Sequence, residues 1–489
     1  MTDVNRAWKL LIGGELVDGE AGTSPIVNPA TEEVVGHAPE ASVAQAEAAA
    51  RAAQEAFPKW AATPAAERAE LLTKVARRLA EVGDSLVPLI ISETGATAQV
   101  GSRMQVPVAL ERFDRYARDA VKPLGIPLPP QAMQATPLAP GGLIGAYVNR
   151  QPAGAVACIS PYNFPLTNVA GKIAPALAVG CTVVMKPAPQ DPLAICALGE
   201  VLHEVGFPPG VVNLVTSADP APAAALSSSP DIDMVSFTGS TAVGQRIYEA
   251  GATTMKRMLL ELGGKGACVV LDDADVDAAV TALVSVWAFH SGQICTAPTR
   301  AIVHRSLYDQ VVERLAKAAG TLTVGDPTSL ETVVGPVISG AQRDRIEHYI
   351  GLGETEGAEL VVDGRRPQHL ERGFYVGPTL LAGCKPGMTP VQEEIFGPVI
   401  SVLTFDDDDE AIEIANGTSF GLYDYVMTSD TERGFRVAGR LRSGNVGVNT
   451  AQRNHETPFG GFKLSGIGRD GGDFGLQAYT EMQSVVWPA

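Results

Sequence analysis

Between residues 150 and 261, short apolar runs alternate with connectors that are long enough to hold a helix. Two parallel strands need such a crossover, because the chain has to return to the same end of the sheet before it can pair again. This rhythm predicts βαβ units and a largely parallel sheet. The five predicted strands are AVACIS (155–160), TVVMK (182–186), VVNLV (211–215), DMVSF (233–237) and RMLLE (257–261).

Polar residues and glycines gather where these predicted strands end. Ligands of parallel α/β sheets bind beyond the carboxyl ends of the strands. The segment FTGSTAVG (237–244) also places a Gly-Ser-Thr turn between a strand and a helix, where backbone N–H groups and the helix dipole favour a phosphate. A nucleotide site is therefore predicted at this edge, with Asn163, Lys186, Gly239, Ser240 and Glu261 around it.

The chain of 489 residues is too long for a single hydrophobic core, so two or three domains are expected. With 45% apolar and 19% charged residues, it has the composition of an ordinary globular protein. Further strands are predicted at 299–304, 399–405, 424–428 and 445–449, with helices near 307–319, 408–415 and 430–440. The predicted fold class is therefore α/β.

Two helices are predicted before residue 100. Ser42 and Gln45 have the spacing of a capping box, and Pro58 marks the expected end of the first helix. An apolar stripe over residues 71–82 predicts a second helix that ends at Gly83. Both are interpreted as packing helices.

The charge and the cysteines limit the possible partners. A formal net charge of −18, with no basic cluster to offset it, argues against nucleic acid and anionic membrane surfaces. Six scattered cysteines without a CxxC pair predict reduced thiols and no metal site. The N-terminus lacks a signal-peptide pattern. We predict a cytoplasmic protein.

Cys295 lies in the segment SGQICT, and a thiol in a loop is a candidate nucleophile. One alternative is a buried, inert cysteine. A free thiol has a pKa of about 8.5, so it needs N–H dipoles or a positive charge nearby to ionise. His290 offers another alternative, a cysteine hydrolase in which this imidazole is the base, although its place at a helix end favours a structural role.

Glu261 ends an apolar strand and is followed by Gly263 and Gly264. Burial raises the pKa of a carboxyl group, which makes such a residue a candidate general base. A thiol that attacks a carbonyl and a carboxylate that later activates water are the minimum that a protein needs to oxidise an aldehyde through a thioester.

Two further patterns are interpreted as coincidental. Gly466, Gly468 and Gly471 match GxGxxG, but no strand is predicted before them and no helix after them. The segment 273–284 imitates a calcium loop but lacks the Gly and the Glu that such a loop requires.

Seven segments, in this order, resemble the NAD(P)-dependent aldehyde dehydrogenase superfamily. They are PYNFPL (161–166), VVMKPA (183–188), FTGST (237–241), LELGGK (260–265), SGQICT (291–296), EEIFGPV (393–399) and PFGGFKLSGIGR (458–469). The resemblance covers nearly the whole chain. It implies a Rossmann-type cofactor domain (1–122 and 151–258), an α/β catalytic domain (259–464), a small β oligomerisation arm (123–150 and 465–489), and a homodimer or homotetramer.

The resemblance also implies a role for each matching residue. Cys295 would attack the aldehyde carbonyl, and the Asn163 amide with the Cys295 backbone N–H would hold the oxyanion. Glu261 would activate the water that hydrolyses the thioester. Lys172 and Glu481 would form a proton-relay pair. The implied cofactor contacts are Ser160, Tyr162, Lys186, Gly239, Ser240, Leu262, Glu394 and Phe396.

The chain departs from the family pattern at two cofactor positions. Tyr162 stands where Trp is common. Pro189 stands where NAD-preferring members often have a Glu that binds the ribose 2′-hydroxyl and repels a 2′-phosphate. NAD is therefore the expected cofactor, with NADP tolerated. A non-catalytic relative is the less favoured alternative, because Cys295, Glu261 and Asn163 are all present.

The substrate is expected to be an apolar aliphatic or aromatic aldehyde. The positions that match the family's pocket are mostly apolar, namely Phe164, Ile294, Thr296 and Phe459. Arg453 and His455 lie in the adjacent loop and can anchor a carboxylate. A semialdehyde dehydrogenase with an anionic substrate is therefore the alternative.

Overall fold

The computed structural model describes residues 6–488 and shows an α/β protein. Its strands are β1 (Leu10–Ile12), β2 (Glu15–Val17), β3 (Thr23–Val27), β4 (Val34–Pro39), β5 (Ile126–Met133), β6 (Gly142–Pro152), β7 (Ala155–Ile159), β8 (Thr182–Lys186), β9 (Val212–Leu214), β10 (Met234–Thr238), β11 (Arg257–Glu261), β12 (Ala267–Val270), β13 (Arg300–His304), β14 (Glu359–Val362), β15 (Thr379–Ala382), β16 (Val399–Phe405), β17 (Tyr423–Met427), β18 (Asn445–Val448), β19 (Gly466–Ile467) and β20 (Thr480–Pro488). Its α-helices are α1 (Val43–Ala61), α2 (Ala65–Thr94), α3 (Ala98–Val100), α4 (Val106–Asp119), α5 (Pro165–Val179), α6 (Leu193–Val205), α7 (Ala221–Ser228), α8 (Thr241–Gly251), α9 (Val276–Trp287), α10 (Tyr308–Ala319), α11 (Gly340–Thr355), α12 (Thr389–Gln392), α13 (Asp408–Asn416), α14 (Thr431–Ala438) and α15 (Gly472–Ala478).

The first sheet has eight strands in the order β19-β11-β10-β7-β8-β9-β1-β2. Its five strands from β11 to β9 pair in parallel, and they coincide with the five apolar runs predicted from the sequence. Strands β7 and β8 are buried along their whole length, as expected for a parallel sheet covered on both faces. Their carboxyl ends point Ser160, Lys186, Gly239 and Glu261 to one edge.

The second sheet has seven strands in the order β14-β15-β16-β13-β12-β17-β18. All its pairs are parallel except the one between β14 and β15. The four strands predicted in the second half of the chain are β13, β16, β17 and β18, and the three predicted helices are α10, α13 and α14. The α/β fold class is therefore confirmed in both halves.

The Pro-rich segment that follows α4 forms part of a third sheet. Strands β20, β6 and β5 pair antiparallel in that order, and β5 is exposed along its whole length. Large apolar side chains of this arm sheet lie open to solvent, namely Ile126, Leu128, Met133, Leu143, Tyr147, Met482, Val486 and Trp487. Such a surface is typical of an interface.

We propose that the three sheets mark the three predicted domains, with one shift of boundary. Strand β19 pairs with β11, and α15 packs against α4 and α5. Residues 465–479 therefore lie with the first sheet, and the C-terminal part of the arm begins at Thr480 rather than at residue 465.

The ends of both N-terminal helices were predicted too early. The capping box of Ser42 and Gln45 is present, but α1 continues through Pro58. Helix α2 continues through Gly83 to Thr94, and it ends at Gly95, which adopts the left-handed conformation that favours glycine. Gly83 stays helical because it packs against the Val106 side chain, which a Cβ at residue 83 would approach to 2.9 Å.

Within residues 6–488, no helix combines the length and apolar character needed to cross a membrane.

The pairing of β19 with β11 requires glycine at residue 466. Gly466 has a φ of +141°, and a Cβ there would lie 1.9 Å from the Leu260 carbonyl oxygen. We expect Gly466→Ala to lower the stability by about 2 kcal/mol and to lower the thermal midpoint followed by circular dichroism. Gly351→Ala is the matched control, because Gly351 lies within α11 with no atom within 4 Å of its added Cβ. Equal midpoints for the two variants would contradict this account.

Candidate active site

Cys295 lies in a loop whose backbone is held in an unusual shape. The residues before it, His290, Ser291 and Gly292, have φ values of +51°, +56° and +69°. Gly292 cannot be replaced freely, because a Cβ there would lie 2.2 Å from the Gly397 backbone. Ser291 Oγ donates to the Gly335 carbonyl at 2.8 Å, which helps to hold the strained turn. The loop therefore presents the thiol in one defined orientation.

Asn163 is joined to this loop by two hydrogen bonds. His290 Nε2 donates to the Asn163 carbonyl oxygen at 2.6 Å, and Asn163 Nδ2 donates to the Gln293 carbonyl at 2.8 Å. Burial lowers the pKa of His290 to about 4, so its ring is neutral. His290 thus holds Asn163 rather than Cys295, which argues against the cysteine hydrolase alternative.

The Cys295 thiol is neutral in the free protein. Its pKa is raised to about 12, first by burial and then by the negative charges of Glu394 and Glu261, while the positive charge of Arg453 opposes them. The other five cysteines are buried. Cys295 is half-buried and is the accessible thiol.

Glu261 is buried at the end of β11, and among the described residues neither of its carboxylate oxygens has a hydrogen-bond partner. Burial raises its pKa well above the usual range, the charge of Asp470 raises it further, and Lys172 opposes them. A Cβ on Gly460 would lie 2.7 Å from Glu261 Oε1, so this glycine makes room for the carboxylate. An unpartnered buried carboxyl with a raised pKa is typical of a general base.

Lys172 does not pair with Glu481, and this part of the prediction is wrong. Glu481 Oε1 accepts a hydrogen bond from Arg257 Nη1 at 2.7 Å on the exposed arm. Buried Lys172 Nζ instead donates to Ser236 Oγ at 3.2 Å, and Ser236 Oγ lies 2.9 Å from the Tyr479 hydroxyl.

Asp470 is the acidic residue whose charge affects the pKa values of Lys172 and Glu261, and it is absent from the residues predicted from the sequence. Its charge is the largest influence that raises the pKa of Lys172 against the lowering by burial. Asp470 lies within the GxGxxG match at 466–471, in a backbone bridge with Phe459. A helix, α15, does begin at Gly472, contrary to the prediction, but β19 is an antiparallel strand and the segment is not a βαβ phosphate loop. The signal that would have found it is the position of Asp470 directly after the last matching motif.

The segment that imitates a calcium loop has structural roles. Asp275 caps α9 by accepting hydrogen bonds from the backbone N–H groups of Asp277 and Ala278. Asp273 accepts hydrogen bonds from the segment 428–430.

One group of predicted cofactor residues lies at the ends of β7, β8 and β10. Lys186 Nζ donates to the Ser217 carbonyl at 2.9 Å, and burial lowers its pKa to about 8. The buried Ser160 hydroxyl has no partner within residues 6–488. Ser240 follows Gly239 and caps α8, whose first turn lies at the same edge. Backbone N–H groups of a helix start and an unsatisfied hydroxyl suit a phosphate-bearing ligand.

The second group of predicted cofactor residues lies towards Cys295. Glu394 Oε1 accepts from the Gly264 N–H at 2.9 Å, and burial raises the pKa of this carboxyl to about 7. The Tyr162 and Phe396 rings meet edge to face with their centroids 5.9 Å apart. Leu262 is buried, and its N–H donates to the Ser465 carbonyl at 3.0 Å.

The predicted substrate residues surround the thiol with mainly apolar groups. The Phe164 ring centroid lies 4.8 Å from that of His290, and Phe459 packs in the same apolar cluster as Cys295. Ile294 and Thr296 flank the thiol and are half-buried, with the Thr296 carbonyl accepting from the Tyr425 hydroxyl at 2.9 Å. His455 is exposed.

Comparison with known proteins places this site in a family. Residues 16–485 match the model described as "Aldehyde dehydrogenase family". The chain is 38% identical over 473 residues to 3-succinoylsemialdehyde-pyridine dehydrogenase of Pseudomonas sp, covering 95% of both chains. It is also 38% identical over 472 residues to the chloroplastic betaine aldehyde dehydrogenase of Beta vulgaris, covering 94% of this chain and 92% of that one.

Solved structures agree with the sequence relatives. An NAD+ complex of aldehyde dehydrogenase from Bacillus cereus has a TM-score of 0.92 and 38% identity, covering 99% of this chain and 97% of that one. Betaine aldehyde dehydrogenase from Staphylococcus aureus in complex with NAD+ has a TM-score of 0.93 and 33% identity, with 99% and 95% covered. The chain, with its thiol loop, its buried glutamate and its two parallel sheets, belongs to the aldehyde dehydrogenase family.

Proposed function

We propose that the protein oxidises an aldehyde to the carboxylic acid with NAD as the hydride acceptor, through a thioester on Cys295. The observation that carries this proposal is the buried Glu261 carboxyl, which has no hydrogen-bond partner and lies close enough to Cys295 for its charge to raise the pKa of the thiol. The nucleophile and the base therefore lie close together, so that the thiol can act in acylation and the carboxylate in the hydrolysis that follows.

In the first step, Cys295 loses its thiol proton to solvent, and its Sγ adds to the carbonyl carbon. The carbonyl oxygen becomes an oxyanion, which accepts hydrogen bonds from Asn163 Nδ2 and the Cys295 backbone N–H. Asn163 suits this task because its carbonyl oxygen and one amide hydrogen are already fixed by the thiol loop. Pre-oriented donors of this kind are typically worth about 10²–10³ in turnover each.

In the second step, the tetrahedral carbon loses a hydride, its C–O double bond forms again, and a thioester remains on Cys295. The nicotinamide ring supplies the hydride acceptor when NAD is bound. Glu261, after losing its proton, takes a proton from water while the water oxygen attacks the thioester, and the Cys295 thiolate leaves. We assign Lys172, Ser236, Tyr479 and Asp470 to the removal of protons from Glu261, because the charges of Lys172 and Asp470 act on Glu261, and hydrogen bonds join Lys172 to Ser236 and Ser236 to Tyr479.

The residues at the two strand edges fit a dinucleotide. Ser160 and the start of α8 offer polar groups for the phosphates, Lys186 for the adenosine ribose, and Glu394 for the nicotinamide ribose. Relatives of known structure are NAD+ complexes, which supports NAD. Pro189 carries no carboxylate to repel a 2′-phosphate, so we propose that NADP is also accepted.

We further propose a homodimer or homotetramer that assembles through the arm sheet. The support is the row of exposed apolar side chains on β5, β6 and β20, which water solvates poorly. Six free cysteines support a reducing, cytoplasmic location.

The protonation state of the thiol can be measured by alkylation. In the absence of dinucleotide, we expect the rate of iodoacetamide labelling at Cys295 to keep rising up to pH 10, because its pKa is raised to about 12 rather than lying near the free-thiol value of about 8.5. At pH 9, Glu261→Gln should label faster, since a negative charge next to the sulfur is removed. Cys295→Ser is the control for labelling elsewhere. A plateau below pH 9 would contradict this description of the site.

The role of Glu261 can be separated from that of Cys295 by rapid kinetics. Glu261→Gln should give a burst of reduced cofactor close to one per site and a steady-state rate lower by about 10²–10⁴, because acylation proceeds and hydrolysis stalls. Cys295→Ala should give neither. Since the base is active only when ionised and its pKa is raised, the hydrolysis rate of the unmodified enzyme should increase with pH above neutrality. An unchanged steady-state rate without a burst would remove Glu261 from the mechanism.

Cofactor preference follows from the residue at position 189. We expect turnover with NAD to exceed turnover with NADP at equal concentration, with NADP still used. Pro189→Glu should lower kcat/KM for NADP by about tenfold or more and leave the NAD value within about threefold, because a carboxylate repels the 2′-phosphate. A native enzyme that strongly prefers NADP would overturn the expectation.

A further inference from the structure

Two arginines near the proposed catalytic residues have no part in the proposed reaction. Arg112 is on α4 and acts by charge on Lys172, while Arg453 is in the loop that precedes Phe459 and acts by charge on Cys295. Neither is needed to bind the oxyanion, to move a hydride or to activate water.

Arg112 reaches from α4 to the first turns of α5. It is half-buried, and its Nη1 donates to the Thr167 carbonyl oxygen at 3.1 Å. A Cβ on Gly171 would lie 1.6 Å from the same nitrogen. The guanidinium therefore occupies the space that the missing side chain of Gly171 leaves, one residue before Lys172.

Arg453 belongs to the loop before Phe459. Its guanidinium carbon lies 3.9 Å from the centroid of the Phe459 ring, a cation–π contact, and Phe459 packs against the same apolar cluster as Cys295. The charge of Arg453 lowers the pKa values of both Cys295 and Glu261. Arg453 is an exposed residue, but packing against Phe459 desolvates its guanidinium, and this desolvation and then the charge of Arg112 lower the pKa of Arg453. The two guanidinium groups are thus close enough to repel each other, and that of Arg453 acts on the reacting sulfur.

Neither arginine has an ion-pair partner within the described part of the chain, residues 6–488. Arg115, one turn further along α4, provides the contrast, because it pairs with Asp119, Glu456 and Asp473. Two like charges in a partly buried site repel each other, and an anion between them would relieve this repulsion.

We propose that Arg112 and Arg453 bind an anionic tail of the substrate, and that the natural substrate is an aldehyde that carries a carboxylate at its far end. This inference rests on the proposed function. The apolar surfaces of Phe164 and Phe459 then contact the body of the substrate, while the aldehyde meets Cys295. The same two charges disfavour a cationic aldehyde such as betaine aldehyde. The inference selects the anionic alternative over the neutral aldehyde expected from the sequence.

The test compares aldehydes that differ in charge and are similar in length. The probes are succinic semialdehyde with butanal, 4-carboxybenzaldehyde with benzaldehyde, and betaine aldehyde, all followed by reduced-cofactor absorbance. We expect at least one anionic probe to exceed its neutral partner in kcat/KM by about tenfold or more, and betaine aldehyde to be the poorest. Added salt should reduce the preference, since it screens partly exposed charges.

Two variants test the arginines directly. Arg453→Gln and Arg112→Gln should each lower kcat/KM for the preferred anionic probe by about tenfold to hundredfold, mainly through KM, and should lower the value for its neutral partner by a much smaller factor, which in Arg453→Gln includes the lost effect of this charge on the pKa values of Cys295 and Glu261. Arg453→Lys should restore part of the loss. Arg442→Gln is the matched control, because Arg442 also lies over a phenylalanine ring, 5.1 Å from the Phe462 centroid, but does not act on Cys295.

The possible failures are distinguishable. If both neutral probes are oxidised at least as well as their anionic partners, or if the variants slow both members of a pair equally, the anionic-tail inference is overturned and the proposed function stands. If no probe yields reduced cofactor, the proposed function fails, and this inference fails with it. A folding defect in Arg112→Gln does not blur the outcome, because Arg453 lies in an exposed loop and is tested separately.

Discussion

The site depends on a reciprocal pair of hydrogen bonds between the loops of the two large sheets. Asn163 follows β7 of the first sheet, while His290 and Gln293 lie in the connection that enters the second sheet at β13. His290 donates to the Asn163 carbonyl, and the Asn163 amide donates back to the Gln293 carbonyl. Because the bonds run in opposite directions, neither loop can shift without breaking one of them. The proposed nucleophile, Cys295, and the proposed oxyanion donor, Asn163, are therefore positioned by the docking of two sheets rather than by one local motif.

Burial is the second constraint, and it favours the neutral form of several buried acids and amines around the site. The pKa values of the acids Glu261 and Glu394 are raised, and the pKa values of Lys172 and Lys265 are lowered, in each case first by burial. Groups tuned in this way exchange protons near neutral pH at small cost. The same low polarity makes any remaining full charge, such as that of Arg453, effective over a longer distance.

The sequence alone predicts the parallel core well, because short apolar runs separated by helix-length connectors are typical of βαβ units. Five strands of the first sheet, four strands of the second sheet and the position of Cys295 after α9 followed from local patterns. The ends of α1 and α2 did not, since both helices continue through residues, Pro58 and Gly83, that usually end a helix. Local pattern also cannot tell which of two nearby acids turns inward. The choice between Asp470 and Glu481 is made by β19 and β20, which join different sheets.

Arg112 illustrates a contact that no local pattern contains. The Arg112 guanidinium can occupy its position only because Gly171, which is distant in the sequence, has no side chain. Arg453 lies close to the matching segment 458–469, but its proximity to Arg112 is visible only in the folded structure.

Tyr479 connects the arm sheet with the hydrogen bonds that lead to Lys172. Its hydroxyl lies beside Ser236 in the path that leads to Lys172, its carbonyl accepts from the Ala153 N–H next to β6, and the arm strand β20 begins at the following residue. In the proposed oligomer, a subunit that loses its neighbour would loosen the far end of this strand first. A disturbance that spreads back along β20 would reach the proposed proton path at Tyr479 before it reached the proposed substrate contacts, so weak assembly would slow turnover in a protein that still binds its ligands.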